Sequence, residues 1–362
     1  MKRFLALLLG ILICLGGAGY WHYNVYANDN VPAITTEQQL KQEVLKNLDQ
    51  VKLEFTIPTK LPIYKSKEAE KMFKDVINEI SSTGNYGFGN LTGYSYYITS
   101  NMGFIQIKVE AYYLTTQKQE QEINNKVKEI VKNNHLKQMT DFEKVYFVNK
   151  YLAQHIAYSS DATDGGHSAY AALFDHKAVC QGYALAAYRL LTEAGVDTRY
   201  ITGQVHGENH AWNKVKVDGK WYNLDITWND PMPDRGDRYR LNYFLITDQQ
   251  LAKDHTWNYR SENPATSKKY EFLMNAQAFT IDKNSIYYTM PNDSHFYKWN
   301  MKTNKKTVLF QNYMPLKSIQ VHDKWLILED FNGATAKVKT DGTNYTGFTE
   351  TVVNNWVNSL KN

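Results

Sequence analysis

Cysteine is scarce in this chain of 362 residues, which contains only 2. Runs of basic residues are also absent, since 41 Lys and Arg are spread against 37 Asp and Glu for a net charge of +4. This balance leaves no electrostatic footprint for DNA or RNA, and we expect no nucleic-acid partner. Neither a CxxC nor an HExxH spacing occurs, and these spacings are the strongest local signals of a zinc site.

The N-terminal segment, residues 1–27, has the layout of a secretory signal. Basic residues at positions 2 and 3 precede an apolar stretch at 4–18, and Ala27 is a small residue suited to cleavage. This pattern predicts a secreted or cell-surface protein. An uncleaved anchor is the alternative, because residues 4–21 are nearly long enough to cross a bilayer, and it would then be the chain's contact with the membrane.

Removal of this segment would also remove Cys14 and leave Cys180 as the single cysteine. A lone thiol cannot form an internal disulfide, and an exposed thiol without a function is a liability in an oxidising compartment. Cys180 is therefore either hidden in the core or used in chemistry.

The length favours two or three domains. Helical spacing and alternating β-type segments predict a small α+β domain over residues 28–138 and a second domain over 139–263. Residues 268–362 have the pattern of two copies of a three-stranded unit, similar to propeller blades. Two blades cannot close a ring, so we expect an open antiparallel β module.

Cys180 begins a predicted helix that ends at Gly195. Unpaired backbone N–H groups and the positive helix end favour a thiolate there, and they offer donors to a developing oxyanion. Gly182 removes side-chain bulk, which would let a substrate backbone approach. A cysteine before a helix is by itself a weak signal of catalysis.

A hairpin supplies partners for this thiol. The Asp-Gly pair at 218–219 predicts a two-residue turn, which places position 210 opposite 227 and position 225 opposite 212. His210 and Asp225 then share one face of the ribbon as diagonal neighbours. The carboxylate can fix the imidazole tautomer while the other ring nitrogen faces a nucleophile.

Three segments carry a family resemblance: VCQGYA at 179–184, HAWN at 210–213 and WYNLDITW at 221–228. Together they resemble the motif blocks of the transglutaminase-like superfamily, whose core is similar to papain, and the likeness covers about residues 140–260. The resemblance implies an α+β fold with a papain-like catalytic core at 139–263. It implies Cys180 as nucleophile, His210 as base and acid and Asp225 as the residue that orients His210, with no cofactor and no metal.

The resemblance also implies a reaction. The Cys180 thiolate would attack a protein or peptide amide and form a thioester, which water resolves in a peptidase or deamidase and a lysine amine resolves in an acyl transferase. We expect a protein or peptide substrate, in the cell envelope of a bacterium. The alternative is a non-catalytic binding or structural protein of the cell surface on the same fold.

Other interpretations of nearby residues stay open at this point. Cys180, His210 and Asp225 could ligate zinc. No glutamine lies in residues 168–179 to serve an oxyanion, so Tyr170 or a backbone amide would have to do so. The remaining residues are interpreted structurally: an exposed loop histidine, a turn aspartate and three tryptophans that pack the hairpin, namely His206, Asp230, Trp212, Trp221 and Trp228.

Overall fold

The computed structural model describes residues 34–59, 66–101, 104–159, 164–230, 239–257, 263–312 and 314–348. The chain divides into two compact units between Lys268 and Lys269. Within the described residues, every helix is too short or too polar to cross a bilayer. The predicted signal or anchor at 1–27 lies outside these residues.

The first unit begins with helices around a three-stranded antiparallel sheet of order β1-β3-β2. Its elements are α1 (Glu37–Asp49), β1 (Glu54–Thr59), α2 (Ser66–Ser82), α3 (Tyr86–Gly89), β2 (Leu91–Asn101), β3 (Phe104–Tyr113) and α4 (Gln117–Asn133). Capping boxes at Thr36 and Thr116 fix the starts of α1 and α4. Alternate residues of the strands face α1 and α2 in one hydrophobic cluster that includes Ile57, Phe73, Ile107 and Val109.

The unit continues with further helices, a two-stranded parallel sheet of β4 and β5, and a five-stranded antiparallel sheet of order β10-β6-β7-β8-β9. Its elements are α5 (Asp141–His155), β4 (Ala157–Tyr158), β5 (Lys177–Ala178), α6 (Cys180–Glu193), β6 (Thr198–Val205), β7 (Glu208–Val217), β8 (Lys220–Leu224), α7 (Ile226–Asn229), β9 (Phe244–Ile246), α8 (Asp248–Leu251) and β10 (His255–Thr256). Helix α6 is buried from Gly182 to Ala187, and the Asn213 side chain of β7 donates to the Ala184 carbonyl at 3.0 Å. The nucleophile helix is thereby attached to the strand that bears His210.

The predicted hairpin register is confirmed from the turn to Asn213, which pairs with Leu224. Beyond that pair the prediction is wrong, because Thr227 lies in α7 instead of opposite His210. The cause is Asp225, whose Oδ1 accepts a hydrogen bond from the Trp228 N–H at 3.2 Å and so caps a helical turn.

The second unit contains two antiparallel sheets, of orders β11-β12-β13-β14 and β15-β16-β17. Their strands are β11 (Ala278–Asp282), β12 (Ser285–Thr289), β13 (His295–Asn300), β14 (Lys305–Gln311), β15 (Leu316–His322), β16 (Trp325–Asp330) and β17 (Thr335–Lys339). The predicted pattern of two three-stranded copies needs correction. Strand β11 makes the first sheet four-stranded, and the second sheet begins with β15, which precedes the strands predicted for that copy. Strand β11 has one buried position, and the alternation of β15 is interrupted where its register with β16 shifts between Leu316 and Ser318.

Candidate active site

Cys180 is the first residue of α6, and its side chain is partly exposed and not disulfide-bonded. The residue before it, Val179, occupies the N-cap position but makes no side-chain capping bond. The N–H groups of the first helical turn therefore have no capping side chain, and the positive end of the helix lies at the sulfur. This setting favours a thiolate and leaves donors beside it.

Gly182 has a different role from the one its sequence position suggested. A Cβ there would lie 2.7 Å from the Gly166 carbonyl oxygen and 3.0 Å from that of Ser168. The glycine is buried against the loop that precedes α6, so it permits close packing of that loop and does not open space for a substrate. The earlier interpretation was wrong because the free side of the residue faces the protein.

His210 lies near the start of β7, and its side chain is only 8% exposed. Its Nε2 is 2.6 Å from Asp225 Oδ2, and its ring is also hydrogen-bonded to the Cys180 side chain. Since Nε2 is occupied by the carboxylate, Nδ1 is the nitrogen left for the thiol. The structure thus brings the three predicted site residues together, and their catalytic roles stay predictions.

The charges in this cluster support one another. Burial alone would lower the pKa of His210, but the Asp225 charge, the Asp225 hydrogen bond and the Cys180 hydrogen bond raise it to about 10. Burial alone would raise the pKa of Asp225, and the charges and hydrogen bonds of His210 and His255 outweigh this and lower it. A protonated imidazole at neutral pH is the form that can stabilise a thiolate and later donate a proton.

A second histidine, which sequence reasoning missed, contacts the same carboxylate. His255 is buried, its Nε2 lies 3.1 Å from Asp225 Oδ2, and its Nδ1 lies 2.5 Å from Asp254 Oδ1. The Tyr243 hydroxyl donates to Asp254 Oδ2 at 2.5 Å. The only local signal was the adjacent pair Asp254 and His255, and nothing nearby in sequence linked that pair to Asp225.

Sheet packing brings His255 to the site. Strand β10 pairs with β6, with His255 opposite Val205. A Cβ at Gly203 of β6 would lie 2.2 Å from the Thr256 carbonyl oxygen and 2.7 Å from the Trp212 ring. Glycine at this position therefore lets β10 and the indole approach the sheet edge.

Aromatic rings surround the histidines unevenly. Trp212 is 1% exposed, which confirms its predicted role in packing. Trp228 is partly exposed, and its ring centroid lies 6.4 Å from that of His210 and 5.5 Å from that of His255. Trp221 lies beneath the cations of Arg199 and Lys216. Trp228 therefore borders the candidate site, whereas Trp212 supports it from within.

The predictions for His206, Asp230 and Tyr170 have different outcomes. His206 is exposed in a turn with φ 51°, as the sequence indicated. Asp230 is buried, and its Oδ2 lies 2.6 Å from the Tyr183 hydroxyl, so it is more than a turn residue. Tyr170 stacks on Phe174 at 4.6 Å and is hydrogen-bonded to Glu122. That engagement leaves the backbone amides at the start of α6 as the better oxyanion donors.

One set of possible metal-binding atoms occurs at the site. Ligand atoms of His210, Asp225 and His255 lie within 4.8 Å of one another. This set contains His255 in place of Cys180, so it differs from the zinc set considered from sequence. Both imidazole nitrogens already contact Asp225 Oδ2 at hydrogen-bond distance, and a metal ion would have to replace those bonds. Hydrogen bonding accounts for the cluster.

Comparisons with known proteins find a family match for part of the chain. Residues 128–226, which include Cys180, His210 and Asp225, match the family model of the Transglutaminase-like superfamily. Kyphoscoliosis peptidase of Mus musculus is 27% identical over 200 residues, and that of Homo sapiens is 28% identical over 183 residues. These alignments cover 49% and 45% of this chain but only 28% and 26% of the two relatives.

The chain thus spans about a quarter of the length of these relatives. A crystal structure of a TGase aligns with 48% of this chain and 50% of its own length at 17% identity, with a TM-score of 0.29. That score is too low to carry an argument. The family match confirms the predicted resemblance for the core.

Proposed function

Because residues 128–226 form a transglutaminase-like core, we propose that this chain is a cysteine-dependent enzyme that acts on protein or peptide amides through a thioester at Cys180. The observation that carries this proposal is the chain of contacts from the partly exposed thiol through His210 to buried Asp225. A nucleophile, a base in contact with it and a carboxylate that orients the base are the components of thiol acyl chemistry.

The reaction has two stages. The Cys180 thiolate attacks the amide carbonyl carbon, and the oxyanion forms beside the free N–H groups at the start of α6. The carbon–nitrogen bond breaks as the His210 imidazolium gives its proton to the leaving amine, which leaves a thioester on the sulfur. Water or a primary amine then attacks the thioester, His210 accepts a proton, and Cys180 is released.

Hydrolysis is the outcome that we favour over transfer to an amine. Its support is the name peptidase borne by two relatives of the core. We place the enzyme outside the cytoplasm on the signal-like pattern of residues 1–27, with an envelope protein or peptide as its substrate.

Incubation of the full chain with a library of peptides containing Gln and Lys distinguishes the possible reactions. New termini indicate a peptidase, ammonia release with a mass gain of one unit indicates a deamidase, and joined peptides indicate an acyl transferase. Each product should be lost in C180A and D225N. If wild-type protein gives none of these products, a non-catalytic binding protein becomes the better account.

A further inference from the structure

His255 has no part in the reaction described above, yet it lies between two carboxylates. Its Nε2 faces Asp225 Oδ2 at 3.1 Å and its Nδ1 faces Asp254 Oδ1 at 2.5 Å, with the ring fully buried. An ionised carboxylate only accepts hydrogen bonds, so each of these contacts requires a proton on the histidine nitrogen. A ring with protons on both nitrogens is a cation.

We infer that His255 is a positioning residue that holds Asp225 Oδ2 in place and offsets part of its negative charge, so that Asp225 orients His210 without binding its proton too firmly. This inference rests on the proposed function of Cys180 and His210. Asp254 would keep His255 in its charged form, and the Tyr243 hydroxyl would keep Asp254 in place.

The two histidines are coupled directly through Asp225. His210 and His255 both contact the same oxygen of Asp225, and their ring centroids are 5.4 Å apart. The other oxygen of Asp225 is bonded to the Trp228 N–H. A change in the hydrogen bond from His255 must therefore alter the strength of the hydrogen bond between Asp225 and His210.

Among the described residues, the titratable groups near the two histidines include Cys180, Asp254, Tyr158 and Tyr243. Burial, together with the charges of Cys180 and Asp225, raises the pKa of Tyr158. Burial and the hydrogen bond to Asp254 raise the pKa of Tyr243 well above its ordinary value. The raised pKa of Tyr243 keeps its hydroxyl a donor to Asp254 at neutral pH.

Removal of the His255 charge should strengthen the hold of Asp225 on the His210 proton. Two positive charges this close repel each other. A substitution that removes the charge of His255 should therefore raise the pH at which His210 loses its proton by about one unit. H255Q keeps a donor toward Asp225 without a charge. D254N removes the carboxylate that requires a proton on Nδ1, and His255 can then be neutral. Both substitutions should act in the same direction.

The experiment compares alkylation of Cys180 by iodoacetate and by iodoacetamide in the full chain, with the labelled residue identified by mass. The His210 imidazolium attracts the anionic reagent only, so the ratio of the two rates falls as that ring loses its proton. The midpoint of the fall is followed from about pH 6 to about pH 11 in wild type, H255Q, H255A and D254N. Asp293, which contacts His295 and Tyr297 in the second unit, supplies a matched control as D293N.

We expect the midpoint to rise by about one unit in H255Q and D254N and to stay at the wild-type value in D293N. H255A should lose much of the labelling rate, and H255Q should recover part of it, because an amide can still donate to Asp225. A midpoint that is unchanged or lower in both H255Q and D254N overturns the inference while the proposed function stands. If H210A leaves the iodoacetate-to-iodoacetamide rate ratio and its pH dependence unaltered, both the inference on His255 and the proposed function are wrong.

Discussion

Asp225 Oδ2 accepts hydrogen bonds from two imidazoles, while Oδ1 caps a helical turn. Three fixed contacts on one buried carboxylate leave it little freedom to rotate. Since His210 takes its orientation from this carboxylate, the position of the base is set by residues from β7, β10 and the turn after β8. The proton affinity of His210 therefore depends on the buried residues Asp225 and His255.

Substitution of Asp225 by Asn tests the electrostatic part of this arrangement. The charge and hydrogen bond of Asp225 act with Cys180 to raise the pKa of His210 to about 10, so the loss of the Asp225 charge should lower that pKa by about one to three units. The midpoint of the iodoacetate-to-iodoacetamide rate ratio reports this change. We expect D225N to move it downward, opposite to H255Q. An unchanged midpoint would mean that Asp225 does not control the proton on His210.

The same pKa shift predicts how stability depends on pH. Because His210 binds its proton more firmly in the folded state, its contribution to stability is complete below about pH 6.5 and is lost as the pH rises toward 10. We expect the free energy of unfolding of wild type to exceed that of H210Q near pH 6, with a difference that shrinks by pH 10. Urea unfolding followed by tryptophan fluorescence measures it. A difference that grows with pH would contradict the assignment.

At this scale the sequence predicted the cluster of Cys180, His210 and Asp225 because each stands in a recognisable local pattern. His255 was missed for a physical reason. Its contact with Asp225 depends on the pairing of a two-residue strand with β6, and so short a strand has no periodicity to detect. The role of Gly182 was missed as well, because close packing against a loop cannot be seen from one residue.

Helix α6 and the loop before it form the element on which the thiol depends. Residues of the loop contact the start of the helix, since the Val179 N–H donates to the Gly166 carbonyl at 3.1 Å. Gly182 packs against the same carbonyl. This loop therefore fixes the position of the start of α6, where Cys180 lies.

G182A tests that contact. Alanine would improve helix propensity by about 1 kcal/mol, but its Cβ would meet backbone at 2.7 Å, and such overpacking costs about 1–3 kcal/mol. We expect a net loss of stability in urea unfolding and slower alkylation of Cys180. T192A changes an exposed residue of the same helix without this clash and should be as stable as wild type. If G182A is as stable as wild type, the loop can move to accommodate the added methyl group at little cost.

Elements were predicted well where a turn or a cap determines them. The Asp-Gly turn gave the hairpin register, and Gly195, just past the C-cap, gave the end of α6. The register failed after Leu224 because the Asp225 side chain bonds to the backbone three residues ahead, and such local capping competes with a strand. The alternation of the sequence continues past this point and conceals the change.

The whole molecule consists of two compact units, and each has a hydrophobic cluster of its own. The candidate site residues, including His255, all precede Lys268. The division into domains at 28–138, 139–263 and 268–362 stays a prediction from sequence. A separate core in each unit indicates that the first can fold without the second.

A chain that ends at Lys268 tests this independence. We expect it to remain folded by circular dichroism and to alkylate Cys180 at the rate of the full chain, because Cys180, His210, Asp225 and His255 belong to the first unit. Loss of the alkylation rate in a folded truncated protein would assign residues 269–362 a direct role at the site.

The most direct test of the central claim, that His210 activates Cys180, is the rate of alkylation of Cys180 by iodoacetamide at pH 7. The full chain with C14S makes Cys180 the single thiol. We predict that this protein reacts about tenfold or more faster than the same protein carrying H210A, because the imidazolium and the helix end maintain a thiolate. Equal, slow rates in the two proteins would contradict an activated nucleophile.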